Sequence, residues 1–398
     1  MGFFEHVPLA SPDPIFGLTR TFNEDTRSNK VNLTVGLYRT EELQTPVLES
    51  VKKAEKELLE NEKSKEYLPL DGDKTFLDQT GVLVFGEEFW KSSQKRVARI
   101  QTVGGTSALR TGGELLFHEK IGEVIYLSDP TWANHKAIFP KAGLKVESYP
   151  YYNREKHALD FEKLHGALEK LPPKSIVLLH ACCHNPTGAD LKLAEWKELS
   201  RLFLAKKFIP FFDLAYQGFD RGLAEDAEAI RLFAKEGHEM LVAYSLSKNF
   251  SLYAERVGAL FIIGETHKVA EHLTSKLVMT TRPNYSNPPL HGVRIVASIL
   301  SSSKLRQEWE EELAVMRARI IEMRNALAEQ LISKSTKVDF SFLKDRAGMF
   351  TFSGLSGLQV ERLIKEHGIY MTSDGRINAA GLNWKNLDTV VKAILSVL

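Results

Sequence analysis

Lys248 stands in the segment Ser245-Leu246-Ser247-Lys248-Asn249-Phe250, between the apolar runs Leu241-Val242-Ala243-Tyr244 and Ala259-Leu260-Phe261-Ile262-Ile263. A lysine between two strand-like runs is drawn toward a hydrophobic interior, where its charge is costly and its pKa falls. An amine of that kind is a candidate for Schiff-base chemistry with a carbonyl. Ser245, Ser247 and Arg256 add hydroxyl and guanidinium groups suited to a phosphate. The combination points to a phosphorylated aldehyde cofactor, pyridoxal 5'-phosphate, and such a cofactor makes further demands on the chain.

Other segments offer what it needs. Gly104-Gly105-Thr106 follows the strand-like run Val97–Val103 and opens a helical pattern, where backbone N–H groups bind phosphate and glycines permit close approach. Alone this reads as a turn, and the third glycine of a dinucleotide fingerprint is missing. Asp213 follows the apolar run Ile209-Pro210-Phe211-Phe212. An acid there caps a helix or holds a positive charge in a desolvated site, as a protonated pyridinium requires. Tyr216 would then bring a hydroxyl to the ring's phenolic oxygen. In His184-Asn185-Pro186-Thr187-Gly188, Asn185 offers an amide at the carboxyl end of a strand, the edge at which open α/β sheets bind ligands. His180 and His184 read as hydrogen-bonding residues rather than metal ligands, and no metal is expected. Arg282 and Arg376 suit carboxylates through paired hydrogen bonds, although a single arginine is ordinarily a solvated surface residue.

These residues need a scaffold. Strand-like runs occur at Val97–Val103, Val124–Leu127, Val146–Tyr149, Ile176–Leu179, Ile209–Phe212, Leu241–Tyr244 and Gly258–Ile263. Several are apolar throughout, as strands buried on both faces should be. Helical patterns such as Leu193–Lys206 separate them, which predicts an α/β layer with a mostly parallel seven-stranded sheet. A helical pattern starts at about Pro46, with Val47, Leu48, Val51, Ala54 and Leu58 on one face. Leu305, Trp309, Leu313, Met316, Ile320, Met323 and Leu327 predict a long amphipathic helix bridging two domains. Beyond it, short strands at Met349–Phe352, Ile369–Thr372 and Arg376–Ala380, with helices at Val360–His367 and Lys385–Leu398, predict a smaller α+β domain. Gly368 fits a helix C-cap.

At 398 residues the chain is long enough for two domains, and 43% hydrophobic residues suffice for sizeable cores. Lys and Arg total 52 against 51 for Asp and Glu, a balance that gives no support to a nucleic-acid or anionic-membrane partner. No apolar stretch approaches membrane-spanning length. The two cysteines, Cys182 and Cys183, are adjacent; they offer no disulfide framework or zinc pattern and favour a reducing, cytoplasmic setting. The N-terminal segment lacks the features of a signal peptide, and His6 defeats an acylation motif at Gly2.

Taken in order, these segments resemble the aspartate aminotransferases of the fold-type I pyridoxal-phosphate enzymes, from Asp13-Pro14-Ile15 to the C-terminal helix. The motifs are Asn32-Leu33-Thr34-Val35-Gly36, Gly104-Gly105-Thr106, Trp132, His184–Gly188, Asp213–Phe219, Ser245–Arg256, Ser286–Pro289 and Gly375–Asn378. The resemblance implies that Lys248 is the Schiff-base lysine and Asp213 the pyridinium partner, with Tyr216 and Asn185 on the ring oxygen. It implies a phosphate cup of Gly105, Thr106, Ser245, Ser247 and Arg256, and a Trp132 stacked on the ring. Arg376 would take the substrate α-carboxylate, with Gly36 beside the substrate. Arg282 and Tyr67 would cross a homodimer interface, to the distal carboxylate and the phosphate. Thr34 and Leu37 stand where the family often has glycine and valine. The implied domains are an arm over residues 1–13, a small domain of 14–45 and 315–398, and a large cofactor-binding domain of 46–314. The implied reaction moves the amino group of L-aspartate to 2-oxoglutarate, with an aromatic aminotransferase of overlapping dicarboxylate activity as the alternative.

Overall fold

Seven strands form one sheet: β1 (Val97–Val103), β2 (Val124–Asp129), β3 (Lys145–Pro150), β4 (Ile176–His180), β5 (Ile209–Leu214), β6 (Met240–Ser245) and β7 (Val257–Ile263). In the computed structural model they lie in the order β1-β7-β6-β5-β4-β2-β3, all parallel except β7, which runs against both neighbours. Every strand-like run of the sequence is a strand of this sheet. Their apolar composition follows from burial on both faces. Ile176, Leu178, Phe211, Leu241 and Ala243 pack on one side, while Val177, Leu179, Phe212, Val242 and Tyr244 pack on the other. This alternation is the period-two geometry of a strand sandwiched between helical layers.

The structure describes residues 2–9 and 14–398, without the side chains of Pro14, Ile15 and Phe16. Part of the predicted arm, Met1 and Ala10–Asp13, lies outside the described residues, as does Asp13 of the first motif. The segment Val31–Asn32 pairs in parallel with Ile369–Tyr370, although far from it in sequence. Val31 and Leu33 share a second hydrophobic cluster with Met323, Leu327, Ile377 and Val390.

The long helix spans Ser303–Lys334. Its first half, from Leu305 to Ile320, is buried in the main core, and its second half, from Met323 to Leu331, in the second cluster. It is the long helix its spacing predicted, and it contributes to both clusters.

Several boundaries differ from the sequence reading, three of them for a reason visible in the structure. The helix expected from about Pro46 begins at Glu49, with Leu48 extended. Its first backbone donors are taken by the Glu312 carboxylate of the long helix, 2.6 Å from the Glu49 nitrogen and 3.2 Å from that of Ser50. That cap comes from a residue remote in sequence and replaces a local one. The strand predicted over Arg376–Ala380 stops at Asn378, whose side chain accepts the Ala380 N–H at 2.9 Å and turns the chain into a short helical turn. The final helix starts at Leu387, after a turn closed by mutual Asn383 and Asn386 hydrogen bonds. Gly368 does cap its helix, at φ +69°.

Candidate active site

Asp213, Ser245 and the segments after β1, β2 and β4 meet at the carboxyl edge of the sheet. There they enclose a cavity of about 270 Å³. Lys248, Asp213, Asn185, Tyr216, Trp132, Gly105, Thr106, Ser245, Ser247 and Arg256 all line it. So do Leu109, Ala215 and Tyr253, which the sequence did not single out.

Lys248 follows β6 on a loop held from both sides. Phe250 stacks on Trp309 of the long helix at 4.2 Å, and the Trp309 indole donates to the Asn249 carbonyl at 2.8 Å. The Asn249 amide reaches the Tyr244 hydroxyl at 3.2 Å. The lysine Nζ lies 5.0 Å from the centre of the Tyr216 ring. Burial pulls its pKa down to about 8; Arg256 adds to the fall and Asp213 opposes it. An appreciable fraction is thus neutral near physiological pH.

Asp213 lies within β5, so it is not the helix cap that one reading allowed. Its Oδ2 is 3.1 Å from His135 Nε2. His135 Nδ1 is 2.8 Å from the Thr131 hydroxyl, which is 3.1 Å from His180 Nε2. Burial holds His180 down to about 3, so it is neutral. One assignment of protons satisfies the whole chain: His180 donates to Thr131, Thr131 to His135, and His135 to the carboxylate. Burial alone would raise the Asp213 carboxyl, but the His135 hydrogen bond, helped by the nearby Lys248 ammonium, holds it below the usual carboxylate value. It therefore stays ionised. His184 is bound by Ser128 and Thr187 at 3.0 and 2.9 Å, stacks on Tyr151 at 3.9 Å, and is kept neutral by burial. Both His180 and His184 are taken up in hydrogen bonds to hydroxyl groups. Thr131 and His135 escaped the sequence reading; their spacing of four at a helix start was the available signal.

At the opposite end, Gly104 and Gly105 open the helix Gly104–His118. Gly104 sits at φ +71°, and a Cβ there would meet Arg256 Nη2 at 2.5 Å; one on Gly105 would meet Ser245 Cβ at 2.8 Å. The glycines let the serine and the guanidinium close on the helix N-terminus, which forms a cradle of donors for an anion. Arg256 itself is at φ +56°, a conformation costing about 1 kcal/mol or more. Hydrogen bonds to the Tyr253 carbonyl at 2.9 Å and to Ser247 Oγ at 3.3 Å hold its guanidinium there.

Arg376, almost fully buried, donates to the Thr34 carbonyl at 2.8 Å and to Asn185 Oδ1 at 3.2 Å. Its Nε is buried with no hydrogen-bond partner, and its face lies 4.3 Å from the Phe350 ring. A desolvated cation with an orphaned donor is suited to a bound carboxylate. Gly36 packs close to the same phenylalanine: a Cβ on it would sit 3.0 Å from Phe350 Cζ. Tyr253, beside the phosphate cradle, accepts the Tyr38 N–H at 2.8 Å and ties the Gly36 segment to the cavity wall. Tyr67 and Arg282 are not brought to the cavity. Tyr67 is 89% exposed, and Arg282 is exposed and donates to Ser286 Oγ at 2.7 Å.

Residues 28–394 match the family model for aminotransferase class I and II. Similar chains include the aspartate aminotransferases of Pseudomonas aeruginosa, 46% identical over 398 residues with all of both chains covered, and of Escherichia coli, 46% identical over 99% of this chain and all of that one. A similar solved structure is the aromatic-amino-acid aminotransferase of Burkholderia pseudomallei, covalently bound to pyridoxal phosphate, with a TM-score of 0.97 and 45% identity over the whole of both chains. The chain therefore belongs to the class I and II aminotransferase family.

Proposed function

We propose that this protein is a pyridoxal-phosphate-dependent aminotransferase that moves the amino group of L-aspartate to 2-oxoglutarate, giving oxaloacetate and L-glutamate. The observation that carries this reading is the shared cavity: a buried lysine of lowered pKa, an ionised buried aspartate and a donor-lined cradle, with a buried arginine bonded to the lining residue Asn185 and left with an orphaned Nε.

The residues fit the cofactor. Lys248 would hold its aldehyde, Asp213 its protonated ring nitrogen, and Tyr216 and Asn185 its phenolic oxygen. Asn185 turns its carbonyl oxygen toward Arg376, which leaves its amide N–H groups as donors. Gly105, Thr106, Ser245, Ser247 and Arg256 would surround the phosphate, with Trp132 against the ring. When bound, pyridoxal phosphate supplies an aldehyde that captures amines and a ring that withdraws electrons from the substrate α-carbon.

The chain's own residues do the rest. Arg376 orients the amino acid by its α-carboxylate, with the Gly36 backbone alongside. The Lys248 amine would take the α-proton of the bound amino acid and, as the conjugate acid, deliver it in the return transfer. Asp213, fixed by His135, stays ionised and would hold the proton on the ring nitrogen. Departure of the first keto acid before arrival of the second gives ping-pong kinetics.

The assembly is read as a homodimer with shared sites. Arg282 and Tyr67 stand exposed and away from their own cavity, and Phe3, Phe4, Leu9 and Met279 are exposed apolar side chains available for an interface. Arg282 would then serve the partner's distal carboxylate and Tyr67 the partner's phosphate. The domain division is read as residues 14–45 with 315–398 and residues 46–314, supported by the second hydrophobic cluster and by the pairing of Val31 with Ile369. A cytoplasmic location is supported by two buried free cysteines. Among the described residues no helix is long and apolar enough to cross a membrane.

A second reading, transfer from tyrosine or phenylalanine, is favoured by the aromatic walls Trp132, Tyr216 and Tyr253 and by the Burkholderia structure's named activity. A steady-state screen of amino donors against 2-oxoglutarate, with cofactor added, separates the two. The first predicts the highest kcat/KM for aspartate; a tyrosine or phenylalanine value above it establishes the second.

A further inference from the structure

Adjacent cysteines match no disulfide framework or zinc pattern in sequence, but the place of Cys182 and Cys183 in the fold gives them another use. Cys182 and Cys183 follow β4 on the segment that leads to Asn185. Their sulfurs and a carboxylate oxygen of Asp226 all lie within 4.8 Å of one another. Sulfurs around a tetrahedral ion with 2.3 Å bonds are about 3.8 Å apart, so the three groups need only a small contraction to share one cation. Access exists: Cys182 and Asp226 line a cavity of about 290 Å³ that shares no lining residue with the active-site cavity and is bordered also by Asp190 and Asp220. Asp226 is fixed by the backbone N–H groups of Gly218, Asp220 and Arg221, at 2.8, 3.1 and 2.9 Å. Both its oxygens therefore keep only part of their acceptor capacity, which leaves the thiolates as the dominant ligands. Two thiolates select soft cations.

We propose that Cys182, Cys183 and Asp226 form a site for a thiophilic divalent cation such as Zn²⁺ or Cd²⁺, with water from the cavity as a further ligand, and that its occupation slows the enzyme. Binding replaces two S–H bonds by two metal–sulfur bonds and releases two protons to solvent. The coupling to the active site is direct. The Cys183 thiol points at the Tyr216 carbonyl, with sulfur and oxygen 3.8 Å apart. Loss of its proton turns that donor into an anion facing a carbonyl. The Cys183 and His184 N–H groups are held by Asp190 at 2.6 and 2.8 Å, so a displacement of the cysteines is transmitted to the turn bearing Asn185.

The chain has no other cysteine, so any thiolate-to-metal absorption has one source. The test is titration of the cofactor-loaded full-length protein with Cd²⁺, following ultraviolet charge-transfer absorption, proton release and turnover. One ion per chain, two protons per ion and a loss of turnover reversed by chelator are expected. Cys182→Ala or Cys183→Ala should weaken binding by about tenfold or more, and the double variant should show neither the absorption nor the inhibition. Asp226→Asn should weaken binding less; should that variant not fold, the cysteine variants carry the test. Undiminished binding in the double variant, or binding without thiolate absorption, overturns the site. Full turnover with the site filled overturns the inhibition alone. The inhibition rests on the aminotransferase reading, whereas absorption and proton release do not, so the two failures are distinguishable.

Discussion

His135 Nε2 lies 3.1 Å from Asp213 Oδ2, and the imidazole is itself held by Thr131 and, through it, by a neutral His180. This keeps ionised a carboxylate whose pKa burial alone would raise. His135→Leu removes a hydrogen bond to a charged group, worth about 1.5–3 kcal/mol. Turnover should fall roughly tenfold to a hundredfold. The Asp213 pKa should also rise, because its largest lowering contribution is gone, so activity should acquire an acid limb at higher pH than in the unmodified protein. A kcat against pH profile checks both; an unchanged acid limb contradicts the role given to His135.

Lys248 gives a pH prediction with a definite sign. Its pKa of about 8 means that the amine is mostly protonated below that pH and mostly free above it. Capture of added cofactor by the cofactor-free protein should accelerate as pH rises through about 8, well below the ordinary lysine value of about 10.4. Asp213 raises this pKa, so Asp213→Asn should move the midpoint down. Stopped-flow absorption across pH measures it, and a midpoint that stays put removes Asp213 from the field around the lysine.

Gly104→Ala tests the cradle. A side chain at φ +71° costs about 1–2 kcal/mol, and its Cβ would meet Arg256 Nη2 at 2.5 Å. Cofactor affinity should weaken along with a lower Tm. A lower Tm with unchanged affinity would mean that the guanidinium does not hold the phosphate.

Much of the architecture was legible because burial on both faces writes itself as continuous apolar runs. β6 and β7 are apolar almost throughout and entirely buried. The cavity lining was legible where a functional group sits at or beyond the carboxyl end of an apolar run, as with Asp213, Ser245 and Asn185, since strand order carries those groups to one edge. What was not legible depends on segments remote in sequence. His135 gains its role only when β2 and β5 place it beside Asp213. Tyr253 gains its partner from the Tyr38 segment, and the Glu49 helix takes its cap from Glu312. Tyr67 and Arg282 differ again: one chain leaves both on its surface, so their assignment rests on a second subunit.

That assignment is open to substitution. Arg282→Ala should lower kcat/KM for aspartate by about 1.5–3 kcal/mol of lost charge-assisted bonding, roughly tenfold to a hundredfold, and spare phenylalanine. Mixing Arg282→Ala, impaired toward aspartate, with Lys248→Ala, which lacks turnover, should raise aspartate activity above that of either variant if the sites are shared, because mixed dimers carry one intact site. Equal losses on both substrates, or no restoration on mixing, would count against the shared site.

The central claim is that Lys248 both holds the cofactor and moves the proton. The most direct measurement is intact-protein mass after borohydride reduction with pyridoxal phosphate, taken together with turnover, for the unmodified protein and Lys248→Ala. The account predicts one added cofactor per chain at Lys248 in the former, and neither attachment nor turnover in the latter. A reduced adduct at another lysine, or undiminished turnover in Lys248→Ala, would contradict it.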